Sequence, residues 1–324
     1  MSLSAAPMAS LFGLDPATYR PHDLHVAEDR VYLETNCYMD VIIELLHARG
    51  DEPLATMGST VRLDFEGDQW TFFKPDPADL ERLYGIDIHE MQPWRSIPTQ
   101  IAELLEAGRT LTVELDAWLL PDTASTSYRT EHVKTTVIPE AIDLDGERLH
   151  YFHNGSLYEL EGADYRGIFR LDGAVASILP PYTELVRFDA GPRLAGAELR
   201  GASLDALRHH LAHAPASDPF ARFGERLAAD LPDLLDGDAA TYHAYAFATV
   251  RMAGAGFELL GSHVDWLLGP AGAPANEALG RIVDGAKVLG FRLARQRPFD
   301  PEPIVRDLST AWSDAMAALH RAVD

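Results

Sequence analysis

The sequence predicts an α+β amino-terminal domain over residues 1–190, followed by an all-helical carboxyl-terminal domain over residues 191–324. Three patterns lead to this prediction. Apolar residues at helical spacing run from Tyr38 to Ala48, strand-like segments occupy residues 110–154, and alanine and leucine recur at helical spacing after Leu199. Because the strand-like segments are separated by short turn signals, the sheet is expected to be antiparallel.

The first long helix is predicted from Tyr38 to Ala48 and is ended by Gly50. Thr35 and Asn36 are residue types that cap helices, so Cys37 is expected in the first turn. Alternation and turn signals predict the other elements of this domain: strands at 61–65, 70–73, 110–120, 132–144 and 148–154, and helices at 77–84 and 97–107.

Strands 132–144 and 148–154 are predicted to form a hairpin around Asp145-Gly146. Pro139 lies inside the first strand and cannot donate a ladder hydrogen bond, so it indicates an edge strand or a bulge. A two-residue turn would place His132 opposite Glu159, whereas a bulge at Pro139 would shift the register and change the face.

The carboxyl-terminal half is predicted to be helical because alanine, leucine and charged residues dominate it. The change of texture falls between Pro180 and Gly201, where proline and glycine cluster. Helices are predicted near 203–213, 218–230, 238–268, 275–296 and 303–322.

Charge and hydropathy exclude several functional classes. The 324 residues include 27 basic and 50 acidic side chains, a formal charge of −23 that repels phosphate backbones and argues against nucleic-acid binding. All apolar runs are too short to span a membrane. Residues 1–14 lack the basic and apolar regions of a secretory signal, so a cytoplasmic location is expected.

Cys37 is the only cysteine, which excludes an intramolecular disulfide and every multi-cysteine zinc motif. A single cysteine is often an inert buried residue. A helix start, however, favours the reactive thiolate, because the first N–H groups of a helix are unpaired and its dipole is positive there. The position of Cys37 therefore suggests a nucleophile.

Such a nucleophile needs a histidine base and a group that orients the base. Papain-like enzymes place these in the order cysteine, histidine, then asparagine or aspartate, which Cys37, His132 and Asn154 reproduce. Asn36 and the Cys37 backbone N–H are candidate oxyanion donors. Two questions stay open: Glu159 is an alternative orienter to Asn154, and His47, His150 and His153 are rivals of His132. The fold class is thus a papain-like domain followed by a helical one.

Asp116 lies in the apolar strand VELDAWLLPD, where an unpaired carboxylate costs free energy. Two interpretations are equally supported. Asp116 ties down the following loop, or it recognises a substrate amine or supports the site from behind. The chain has neither a glycine-rich phosphate loop nor an HExxH motif, so no bound cofactor and no metal are expected.

The segments NCYMDVIIELLHARG, FEGDQWTFFKP, VELDAWLLPDT, HVKTT and YFHNG resemble an uncharacterised bacterial family known only as a domain of unknown function. The later segment YHAYAFATVRMAGAGFELLGSHVDWL fits the same family. This resemblance covers nearly the whole chain.

Cys37, the VELDAWLLP strand and His132 are also similar, more distantly, to the butirosin biosynthesis protein H family. That family pairs a papain-like domain with a helical one and moves an aminoacyl group from a carrier-protein thioester to an amine. It tends to have an aspartate after the histidine strand, where this chain has Asn154.

This resemblance implies a cysteine-dependent acyltransferase with a Cys37 thioester intermediate. Its partners would be an acyl carrier protein, whose phosphopantetheine arm carries the acyl group, and an amine acceptor. A cysteine peptidase or amidase and a non-catalytic binding protein on a papain-like scaffold are the alternatives.

Overall fold

The structure is a computed structural model that describes residues 8–33, 36–173 and 179–324. Its strands are β1 (Ala9–Ser10), β2 (Phe65–Glu66), β3 (Gln69–Trp70), β4 (Asp87–Met91), β5 (Thr110–Asp116), β6 (Lys134–Asp143), β7 (Arg148–His153), β8 (Ser156–Glu161) and β9 (Thr183–Arg187). Within the described residues, seven strands form one antiparallel sheet in the order β4-β9-β5-β6-β7-β8, with β1 also paired to β6.

The α-helices are α1 (Asp23–Val26), α2 (Cys37–Arg49), α3 (Pro77–Tyr84), α4 (Ile97–Glu106), α5 (Gly162–Ile168), α6 (Gly196–Leu211), α7 (Pro219–Asp236), α8 (Ala239–Ala246), α9 (Met252–Leu268), α10 (Ala273–Ala294) and α11 (Glu302–Val323). The predicted α+β amino-terminal region and all-helical carboxyl-terminal region are both confirmed. No helix in the described ranges has the length and apolar character needed to cross a membrane.

The chain divides into two compact units whose segments alternate along the sequence. Within the described ranges, the first unit comprises Met1–Val26, Cys37–Glu52 and Leu80–Arg193. The second comprises Ala27–Asn36, Pro53–Asp79 and Leu194–Asp324. The sheet and α2 thus belong to the first unit, and helices α6 to α11 belong to the second.

Strict alternation along β5 gives the sheet of the first unit two different faces. Leu111, Val113 and Leu115 face a buried apolar cluster that includes residues of α4 and α5. Thr112 and Glu114 point to the opposite face because successive side chains of a strand alternate. The apolar helix α2 covers β6 and β7, and its Tyr38 side chain reaches Glu184, whose carboxylate Thr112 also contacts.

The hairpin of β6 and β7 contains the predicted bulge. Pairing shifts between Pro139 and Ala141, so Glu140 is the extra residue. The edge-strand alternative for Pro139 is wrong, because β6 lies between β5 and β7. The turn covers residues 144–147 rather than Asp145-Gly146 alone, since β6 ends at Asp143 and β7 begins at Arg148.

Two details of the second unit differ from the sequence prediction. Residues Pro53–Arg62 form a 3₁₀ helix, which leaves only the short pair β2 and β3 where longer strands are predicted. The helix predicted at 238–268 contains a π-helical segment, Phe247–Arg251, between α8 and α9. Both differences depend on how the segments pack in the folded chain, and the spacing of residues along the sequence does not specify that packing.

A fully buried histidine joins α9 to the 3₁₀ helix of the second unit. His263 Nδ1 bonds the Leu54 carbonyl at 2.7 Å. A Cβ on Gly58 would lie 2.9 Å from His263 Nε2, so only glycine allows this approach. Nε2 has no hydrogen-bond partner in the described part of the chain, and burial lowers the pKa of His263 to about 4.

The buried His263 should make the second unit less stable in mild acid. A histidine in the unfolded chain has a pKa of about 6.5, whereas the pKa of folded His263 is about 4. Between these values the unfolded chain binds more protons, so the free energy of unfolding should fall by at most about 1.4 kcal/mol per pH unit as the pH drops. Denaturant unfolding between pH 4.5 and 7.5 measures this slope.

The matched variant is His263→Asn, whose side-chain amide keeps a donor for the Leu54 carbonyl but does not titrate. Its free energy of unfolding should depend less on pH in this window than that of the wild type. Identical slopes for the two proteins would contradict the assignment.

Candidate active site

Cys37 is the first residue of α2, as predicted, and its side chain is half-buried. Thr35, one of the two predicted capping residues, lies outside the described residues. Within residues 8–33, 36–173 and 179–324, the Cys37 sulfur makes no hydrogen bond, to His132 or to any other group. The thiol thus sits at the start of a helix.

The start of α2 is tied to the sheet by a buried carboxylate. Tyr38, the residue after Cys37, donates its hydroxyl to Glu184 Oε2 at 2.7 Å. Glu184 of β9 lies opposite Thr112 of β5, whose hydroxyl donates to the same oxygen at 2.9 Å. These contacts place the first turn of α2 over the face of the sheet that carries Thr112, Glu114 and, by the same alternation, Asp116.

Asp116 and His132 form a hydrogen-bonded pair at the end of this face. His132 Nδ1 lies 2.7 Å from Asp116 Oδ2, and Asp116 Oδ1 accepts the Trp118 backbone N–H at 3.0 Å. The Trp118 ring stacks on the imidazole at 4.5 Å, with an angle of 12° between the planes. The tie to the following loop, one of the roles considered for Asp116, is therefore observed, and the same carboxylate also holds the His132 ring.

This geometry leaves the other imidazole nitrogen of His132 available for chemistry. Because the Asp116 carboxylate accepts the Nδ1 proton, the neutral ring carries its lone pair on Nε2. His132 is 71% exposed, and its Nε2 has no hydrogen bond to any described residue. An oriented, accessible imidazole of this kind can act as a general base or acid.

A cleft of about 650 Å³ lies beside the pair. Its polar wall contains Asp116, His132, and the ion pair between Glu114 and Lys134, whose atoms are 3.0 Å apart. Its remaining lining is mostly apolar and includes Leu115, Leu119, Val133, Ile168, Leu179, Pro180 and Pro181.

Tyr182 links the cleft to the start of α2. It lines the cleft and donates its hydroxyl to Glu184 Oε1 at 3.1 Å. Burial and the charge of Glu184 raise the pKa of Tyr182 to about 12, so the hydroxyl remains a donor. Cys37 is not among the described residues that line the cleft. It adjoins Tyr38, which binds the same carboxylate from the side of the helix.

The other candidate orienters lie away from His132. Asn154 is part of the two-residue turn that joins β7 to β8, and its φ of 45° is a left-handed conformation that asparagine tolerates. Glu159 lies opposite His150 across β7 and β8, with 3.0 Å between Nε2 and the carboxylate. The structure thus brings His132 together with Asp116, and not with Asn154 or Glu159.

Asn36, the candidate oxyanion donor, is buried, and its side-chain amide donates to the Phe73 carbonyl at 2.6 Å. Among the rival histidines, His47 bonds the Arg20 carbonyl at 3.1 Å through Nε2. His150 is taken up by Glu159.

A second Asp–His pair lies inside the sheet unit and was not predicted. His153, only 1% exposed, contacts Asp122 through Nδ1 at 2.5 Å and Thr135 through Nε2 at 2.7 Å. Tyr151 donates its hydroxyl to the same aspartate. The sequence signal for this pair was the spacing of Tyr151 and His153, which places both side chains on one face of β7. Burial keeps this pair from a substrate, so it fixes the loop after β5 against the sheet.

No group of three or more histidine, cysteine, aspartate or glutamate side chains among the described residues has the arrangement of a metal site. The described residues of the first unit offer an oriented imidazole, a thiol at a helix start and a cleft of mixed polarity.

Comparison with known families agrees with the resemblance drawn from the sequence. The model of the DUF1839 N-terminal domain matches residues 20–188, and that of the DUF1839 C-terminal domain matches residues 196–321. A search of curated proteins finds no match. Since the two models together span most of the chain, this protein belongs to the DUF1839 family.

Proposed function

We propose that this protein is a cysteine-dependent acyltransferase in which Cys37 is the nucleophile, His132 the general base and acid, and Asp116 the residue that orients His132. The observation that carries the proposal is the hydrogen bond between Asp116 and His132. It lies at the end of β5, the strand whose Thr112 shares the Glu184 carboxylate with Tyr38 of α2. A papain-like site has a cysteine at a helix start and a histidine at an antiparallel sheet; here Cys37 begins α2 and His132 lies two residues before β6.

In the first step, the Cys37 thiolate attacks the carbonyl carbon of a thioester carried on the phosphopantetheine arm of an acyl carrier protein. The backbone N–H of Cys37 stabilises the oxyanion, because the N–H of the first residue of a helix has no acceptor within the helix. The carbon–sulfur bond of the donor then breaks. Protonated His132 gives its proton to the departing thiolate, which leaves as a thiol, and the acyl group remains on Cys37.

In the second step, an amine attacks the acylated Cys37. His132 Nε2 takes the proton of the amine, an amide forms, and the Cys37 thiolate leaves. Asp116 holds the ring through Nδ1 and balances the positive charge that the imidazole acquires. Stacking on Trp118 supports the same charged form.

Hydrolysis, as a peptidase or amidase, is the second candidate. The observation that favours it is the 71% exposure of His132, which gives water access to the base. Water would then replace the amine in the second step, and the same residues would serve.

An acyl-pantetheine thioester should acylate the wild-type protein at Cys37 and leave Cys37→Ala unmodified, because this thiol is the acceptor. Intact-mass measurement followed by peptide mapping detects the adduct. Release of free acid without an amine would select hydrolysis, whereas amide formation that needs an amine would select transfer. Continued turnover by Cys37→Ala would falsify the mechanism.

Iodoacetamide separates catalysis from a non-catalytic scaffold. A catalytic Cys37 should react near neutral pH faster than an ordinary thiol, and His132→Ala should slow this reaction. Reaction only at high pH in both proteins would support the binding-protein alternative.

Asp116→Asn should lower the acylation rate by on the order of 10²- to 10⁴-fold, because an amide no longer fixes the proton on His132 Nδ1. Asn154→Gly, which permits the left-handed turn, and Glu159→Gln are the controls, since neither side chain contacts His132. Single-turnover kinetics of the three variants measure the effect. A large loss in either control with a normal Asp116→Asn rate would reassign the orienter.

Tyr38→Phe should slow acylation of Cys37, because it removes the hydroxyl that ties the start of α2 to Glu184. It should also lower the free energy of unfolding by about 1–3 kcal/mol. Thr112→Val removes another donor to the same carboxylate without altering α2. We expect a comparable loss of stability from it but a near-normal acylation rate. Equal rates for both variants would show that this anchor does not position Cys37.

A further inference from the structure

In the described part of the chain, no strand pairs with the edge of β5 where the strand enters the cleft. β5 pairs with β9 from Thr110 to Val113, and one more bond joins the Glu114 N–H to the Tyr182 carbonyl at 3.0 Å. Backbone groups of an antiparallel strand face its two neighbours alternately. The N–H and C=O of Asp116, two residues after Glu114, therefore face the same side as those of Glu114, away from β6.

Two prolines follow where a longer β9 would continue beside this edge, and no described residue pairs with it. The residue opposite Asp116 in the continued register would be residue 180, but Pro180 has no N–H to donate and Pro181 follows it. Asp116 is still extended, with φ −92° and ψ 114°. Its backbone N–H makes no hydrogen bond to any residue that the structure describes. One donor and one acceptor of the main chain thus face the cleft, next to the His132 side chain.

The cleft also exposes apolar surface around this edge. Leu179 is 83% exposed and Val133 is 38% exposed, and both line the cleft together with the prolines. A ligand that filled the cleft would cover this surface while pairing with Asp116. Main-chain hydrogen bonds together with apolar side-chain contacts are the means by which proteins bind an extended peptide as an added strand.

We propose that the cleft binds an extended peptide segment as an added strand, with one residue of the peptide paired to the backbone of Asp116. This rests on the proposed function in one respect: the bound peptide is the substrate whose acyl group is processed at Cys37. The substrate class is then peptidyl or N-acylated aminoacyl.

The pairing geometry favours a peptide over a pantetheine arm. Pairing with Asp116 requires an N–H and a C=O on either side of a single carbon, as in an α-amino acid residue flanked by two amides. The β-alanyl unit of pantetheine places an additional methylene between these groups, so it fits one bond but not both.

The test measures binding to Cys37→Ala, so that no reaction interferes. The probe is acetyl-Ala-Leu-Ala-methylamide, with three analogues that each carry one N-methyl group on successive residues. Strand addition predicts alternation: methylation of the residue that pairs with Asp116 should weaken binding by at least about 10-fold, and methylation of its neighbours should have little effect. The Asp116 amide should also gain protection from hydrogen exchange.

Val133→Glu should weaken peptide binding, because it puts a charge into the apolar wall. Leu144→Glu is the matched control, since Leu144 is 45% exposed in the turn between β6 and β7 and is not a cleft residue. Equal affinity across the N-methyl series, an unprotected Asp116 amide, or tighter binding of free pantetheine than of the peptide would overturn the inference.

The outcomes also distinguish this inference from the proposed function. Alternating peptide binding without any adduct on wild-type Cys37 would reject the acyl-transfer mechanism and leave the peptide site standing. Acylation of Cys37 by a simple thioester without the alternating pattern would do the reverse.

Discussion

The carboxylate of Glu184 is the point on which the geometry of the first unit depends. A buried carboxylate is tolerated only when hydrogen bonds replace its water, and here hydroxyls from Tyr38, Thr112 and Tyr182 donate to it. These donors come from α2, from β5 and from the segment that leads into β9. One acid thereby fixes the start of the helix, the central strand and one wall of the cleft relative to each other.

The two faces of β5 have different roles, one in the apolar core and one at the candidate site. Its odd-numbered residues fill the apolar cluster beneath the sheet, and the opposite face ends at Asp116. There the side chain holds His132, while the backbone faces the cleft that Pro180 and Pro181 line. The recognition of an imidazole and of a peptide backbone therefore meet at a single residue.

Three histidines of this protein differ in burial, and their roles differ accordingly. His153 and His263 are almost wholly buried and use their nitrogens to hold a loop and a 3₁₀ helix. Burial also keeps His263 neutral, since its pKa falls to about 4. His132 is held through one nitrogen only and exposes the rest of its ring. Among these three, it alone combines a fixed orientation with access to a substrate.

The sequence by itself determined the local features. The spacing of apolar residues predicted that Cys37 begins a helix. Pro139 indicated the bulge in its strand, and the change in composition near Leu199 indicated the helical region. Each depends on neighbours within a few residues, which a pattern along the chain records.

Only the tertiary structure decided which carboxylate holds His132. That depends on the pairing of β5 with β6, between segments whose mutual register no local pattern encodes. The sequence offered Asn154 and Glu159, but a two-residue turn and His150 engage them. It also contained Pro180 and Pro181, without showing that they line the same cleft as Asp116. The pairing register of strands that are far apart in the sequence is set by packing of the whole sheet. For that reason the tertiary structure, and not the sequence, determines which side chains meet at the site.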